Sequence, residues 1–131
     1  MIAIPLSIFY FLGFKVMLLH LVISFFSMSI LEVINYIEHY GLKRNQLTSG
    51  RYERVSEKHS WNSNHVVGRI ILYELTRHSD HHYKSQKKYQ ILEYHDISPQ
   101  MPYGYPTSMV LSFFPPLWFA VMNKRIPVEM K

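Results

Sequence analysis

The chain has 131 residues, enough for one compact unit, and it contains no cysteine, which excludes disulfides, thiolate metal sites, iron–sulfur clusters and cysteine nucleophiles. Its formal net charge is +5, a value that on its own points to nucleic acid or an anionic membrane surface. Apolar residues make up 48% and charged residues 18%, but this average conceals an apolar amino-terminal quarter and a basic middle in which most of the eight histidines lie.

Ile2 to Leu12 forms an apolar stretch of 11 residues, about half a membrane span. Gly13, Phe14 and Lys15 interrupt it, glycine favouring a turn and lysine wanting water, so a partial transmembrane helix is expected over residues 2–13, joined to the next apolar run as a short hairpin. From Val16 to Leu31 there is no formal charge, and the apolar run continues to Ile37, 22 residues in all. As a helix it would be roughly 33 Å long, enough to cross a bilayer core, and a transmembrane helix is expected over residues 16–40. Neither a charged start nor a small-residue cleavage site accompanies it, so it reads as a permanent helix rather than a secretory signal.

Residues 43–98 hold ten Lys/Arg against six Asp/Glu, which by the positive-inside rule places residues 43–131 on the cytoplasmic side. The basic excess then needs no nucleic acid, and no nucleic-acid-binding motif is present. One and a half apolar helices cannot enclose polar groups at membrane depth, so the chain reads as the carboxyl-terminal part of a larger membrane protein lacking its amino-terminal part. Composition alone favours the alternative, a small single-span protein with a cytoplasmic tail.

Asn35 to Leu42 places Glu38 and His39 on the last turn of the spanning helix, with Gly41 as a left-handed stop. Taken alone, His39 fits an interfacial aromatic-like residue better than a ligand. Further on, Val67, Ile70, Ile71, Glu74, Leu75, His78, His81 and His82 recur at spacings of three and four, predicting one helix over residues 65–92 with the histidines continuing its buried face. At those spacings the imidazoles of His78, His81 and His82 spread over an arc of about 100° and can meet on one centre or two.

Three unpartnered imidazoles side by side would be costly, and a metal removes that cost. Nitrogen ligands without sulfur suit iron, zinc, copper or nickel rather than calcium or magnesium. A solvated histidine patch is the alternative that spacing leaves open. Glu38, Glu74 and Asp80 are candidates to accept an imidazole N–H and tune the ligands, with Arg77 a competing partner for any of them.

His20, His59 and His65 are expected to have structural duty, with Ser63 or Asn64 capping the coming helix. His95 falls in a loop beside Asp96. Tyr89, Tyr94, Tyr103 and Tyr105 suggest a folded-back surface segment, and Met109 to Met122, broken by Pro115 and Pro116, an interfacial helix pair.

Asn35 to Leu42 resembles the NYxEHYG element, and Leu75 to His82 the last histidine box, LQRHSDHH, of the alkane 1-monooxygenases. These are membrane-bound non-haem di-iron hydroxylases within the fatty-acid desaturase and hydroxylase superfamily. Ser60 to His65 and Gly104 to Pro106 are similar as well, and the resemblance runs from about Ile2 to Arg125. It implies an all-α, multi-pass protein of the inner (plasma) membrane. This chain would be a partial helical bundle with a cytoplasmic histidine-bearing helix.

It further implies two iron ions, O₂ as oxidant, rubredoxin as electron donor, and hydroxylation of the terminal carbon of an alkane reached from the lipid. Ligand status is implied for His39, His78, His81 and His82. An unactivated C–H bond offers no handle for acid/base or nucleophilic side chains, which agrees with a redox metal. A related aromatic-methyl hydroxylase, a fatty-acid desaturase, or a non-enzymatic membrane-anchored metal-binding protein are the alternatives. Two further boxes of the family, resembling HELxHK and EHxxGHH, are absent from this sequence. Four imidazoles do not complete two irons, so the chain by itself is expected to bind metal weakly and to be inactive.

Overall fold

The computed structural model describes residues 2–130. Six helices follow in order: α1 (Ala3–Leu12), α2 (Phe14–His39), α3 (Val66–Ile71), α4 (His78–Tyr83), α5 (Tyr105–Ser112) and α6 (Pro115–Met122). Single 3-10 turns lie at Glu57–His59, Tyr89–Ile91 and Val128–Met130, and no β-strand occurs among the described residues. The chain divides after Val33 into two compact units.

In the first unit, Gly13 takes φ +87° and its N–H closes α1 on Phe9, so the helix break falls where glycine and lysine interrupt the apolar pattern. α2 is long and apolar enough to cross a membrane, and none of its most apolar window is buried. Ser29 satisfies its hydroxyl within the helix by donating to the Phe25 carbonyl at 2.8 Å, as Ser7 does to Ala3 in α1 at 2.9 Å. His20 lines an apolar recess of about 630 Å³ with Ile4, Pro5, Leu21 and Met28.

The second unit is built around Ile37, Trp61, Met101, Tyr105, Trp118 and Met122. Gly41, at φ +71°, ends α2, and a Cβ there would overlap the Ile126 side chain. The extended strip from Ser60 to Ser63 then stitches the unit together. Trp61 N donates to Glu38 O and its indole N–H to Tyr40 O, both at 2.8 Å, so carbonyls at the end of α2 find partners. Asn62 N donates to Pro99 O, Met101 N to Asn62 O, and Ser63 N to Thr76 O, at 2.8–2.9 Å.

The single helix expected over residues 65–92 is not formed. α3 stops at Ile71 and α4 starts at His78, because Tyr73 and Glu74 adopt φ of +50° and +65°. Left-handed backbone on such residues costs about 1–2 kcal/mol each. The turn is held by a two-pronged Arg69–Glu74 ion pair at 2.8 Å and by Glu74 N donating to Arg69 O. Val67, Ile70, Ile71 and Leu75 are consequently exposed, not on a buried face. The N-cap of α3 is His65 with no side-chain cap bond, so neither Ser63 nor Asn64 fills that role. α5 and α6 pack as the expected pair, but Tyr105 is buried rather than on the surface.

Candidate metal centre

The last turn of α2 and the first turns of α4 bring His39, His78 and His82 together. Their ring centroids are 5.1 Å (39–78), 5.2 Å (39–82) and 4.4 Å (78–82) apart. One ligand nitrogen from each lies within 4.8 Å of the others. Nitrogens bound to one ion at about 2.1 Å stand at most about 4.2 Å apart, so small ring rotations suffice to close on a metal. His81 flanks the trio, 5.9 Å from His78 and 5.7 Å from His82 by ring centroid.

The hydrogen bonds decide which nitrogen is free. His39 Nδ1 lies 2.9 Å from the Asn35 carbonyl, which can only accept, so Nδ1 carries the proton and Nε2 keeps its lone pair. His78 is largely enclosed, its side chain 12% exposed, and its Nε2 has no hydrogen-bond partner. Burial, with His82, His39 and His81 nearby, depresses the His78 imidazole to about 2. Burial and the same crowding also lower His82. These rings are therefore held neutral, the form that ligates a metal, and an all-nitrogen donor set fits a first-row transition metal.

The three carboxylates go different ways. Glu38 Oε1 accepts the Tyr105 hydroxyl at 2.7 Å, and Oε2 stands 3.2 Å from His78 Nε2. Glu74 is taken up by Arg69 and Arg77, not by an imidazole of the trio. Asp80, wholly buried, faces away from the trio: Oδ1 meets His95 Nε2 at 2.9 Å, and Oδ2 accepts Lys87 Nζ and Glu93 N, each at 2.8 Å. Burial would raise its carboxyl, but these donors together hold it down at about 2.

The neighbouring Ser79 is gripped by Asn62. Its backbone N–H donates to Asn62 Oδ1 at 2.9 Å, and Asn62 Nδ2 donates to its hydroxyl at 2.6 Å. Thus the side of α4 opposite its histidines is pinned by Asn62 and by the His95–Lys87 pair, residues that sequence reasoning left unassigned. The polar run from Ser60 to His65 was the one available signal for Asn62. His59 is structural as expected: Nδ1 accepts Ser56 N–H at 3.0 Å, so Nε2–H faces Glu53 at 3.2 Å.

A membrane-length helix that ends in an imidazole, joined by an i,i+4 imidazole pair from a short helix, forms a histidine group that could hold a metal ion. The fatty acid desaturase family model matches residues 1–112, and the chain belongs to that family, one of membrane-bound non-haem iron enzymes. It is 50% identical over 103 residues to "Alkane 1-monooxygenase 2" of Pseudomonas aeruginosa, covering 79% of this chain and 27% of that protein. To "Alkane 1-monooxygenase 2" of Alcanivorax borkumensis it is 52% identical with the same coverage. The hydroxylase component of a Pseudomonas putida xylene/toluene monooxygenase is 33% identical over 95 residues, 72% of this chain and 24% of that protein. The chain thus spans about a quarter of the length of the relatives it matches.

Proposed function

We propose that this chain supplies part of the centre of a membrane-bound di-iron monooxygenase that hydroxylates the terminal carbon of alkanes, using O₂ and electrons from rubredoxin. The observation that carries this reading is the meeting of His39 with His78 and His82. His39, His78, His81 and His82 would hold iron, and the remaining ligands of two ions would come from the rest of the protein. Iron, when bound, supplies the O₂ chemistry needed to oxidise an unactivated C–H bond.

The chain's own residues do the positioning. Asn35 fixes the His39 tautomer, and Asn62 and Asp80 fix the helix that carries the other three rings. The exposed apolar surface of α2 offers an alkane a path from the lipid, and the excess of basic residues after Gly41 supports a centre facing the cytoplasm. Greater identity to the alkane enzymes than to the xylene/toluene enzyme supports a linear alkane over an aromatic methyl group.

Product analysis tests the reading. Membranes containing the intact protein and a rubredoxin reductase system should convert a medium-chain alkane to its 1-alkanol with one oxygen atom from ¹⁸O₂. Oxidation of toluene methyl or acyl chains only, with the alkane untouched, would overturn it.

A further inference from the structure

Tyr105 lies 67 positions from Glu38 in the chain, yet its hydroxyl donates to Glu38 Oε1 at 2.7 Å inside the core. Both side chains are sealed from solvent: Tyr105 is 0% exposed and the Glu38 side chain 4%. The other carboxylate oxygen, Oε2, stands 3.2 Å from the orphan Nε2 of His78. A carboxylate is free to rotate about its terminal torsion unless something holds it. Here one oxygen is tied by Tyr105 and the other is thereby presented to His78.

Tyr105 is itself locked. A Cβ on the preceding Gly104 would stand 3.3 Å from His65 Cβ, so glycine there lets the start of α5 pack closely against the residue that opens α3. We infer that Tyr105 is a positioning residue of the histidine centre, holding the Glu38 carboxyl so that its second oxygen faces His78. A carboxylate that accepts the N–H of a ligating imidazole orients the ring and raises its basicity, so with Nε2 facing Glu38 the other ring nitrogen is left for the ion; loss of such a partner weakens metal binding about 10–100-fold. This inference rests on the reading of His78 as an iron ligand.

The test is Tyr105→Phe in the intact, iron-loaded membrane protein, with Glu38→Gln beside it. Tyr105→Phe removes one oxygen and keeps the ring in the core. The expected result is iron released to a chelator at least tenfold more readily, with a changed X-ray absorption spectrum. Glu38→Gln should shift both readouts in the same direction. Wild-type iron retention and spectrum in Tyr105→Phe overturn the inference, and if Glu38→Gln alone loses iron the site reading stands without Tyr105. A wild-type protein that takes up no iron overturns the site reading, and the inference with it.

Discussion

Asp80 is the place where removing charge and removing shape have separable consequences. It is wholly buried and its two oxygens accept from His95, Lys87 and the Glu93 backbone. Asp80→Ala deletes all three bonds: Lys87 keeps Glu93 Oε2 at 2.9 Å, but the His95 ring and the Glu93 N–H lose their acceptor. Leaving those two enclosed donors without an acceptor costs about 1–3 kcal/mol each. Asp80→Asn keeps the shape: its amide oxygen can serve Lys87 and Glu93 N–H, while its NH₂ can donate to His95 once that ring shifts its proton to the other nitrogen.

What Asp80→Asn loses is charge assistance, about 1–2 kcal/mol. Denaturant unfolding in detergent should therefore rank Asp80→Ala below Asp80→Asn by roughly 2 kcal/mol. The advantage of wild type over Asp80→Asn should also depend on pH. The folded carboxyl is held at about 2 against an ordinary 3.8, so its contribution is full above the ordinary value and disappears as pH falls through the folded one. Equal stabilities for the two variants, or a wild-type advantage that persists to pH 2, would refute this account of the pin.

Gly41→Ala combines a left-handed φ, costing about 1–2 kcal/mol, with an overlap onto Ile126 costing about 1–3 kcal/mol. Adding Ile126→Ala should recover the second part in a double-mutant cycle, and strict additivity would show that Ile126 is not the obstacle. The 131-residue chain purified alone should hold iron weakly and leave alkanes unoxidised, as metal analysis after gel filtration would show. Near two tightly held irons per chain would contradict that.

His78, His81 and His82 stood out through their helical spacing, whereas His39 carried no signal of its own and was picked out only by the resemblance of residues 35–42 to the alkane 1-monooxygenases. The same periodicity misled over residues 65–92, since the break at Tyr73 and Glu74 uses neither glycine nor proline and is decided by the Arg69–Glu74 pair. Asp80 could be recognised as buried among histidines but not as turned away from the trio. Its partners, His95 and Lys87, come from a loop whose path depends on the whole unit. Tyr105 read as surface because its burial depends on the close approach permitted at Gly104 and on the distant Glu38, which no local pattern announces.

The central claim is that the ring at the end of α2 shares a metal with the rings of α4. Iron content of the intact membrane protein, measured for His39→Ala against a His20→Ala control of equal monodispersity, addresses it most directly. The account predicts that His39→Ala loses iron while His20→Ala, altered only in the apolar recess of the first unit, retains it. Full iron in His39→Ala would detach that residue from the centre and contradict the account.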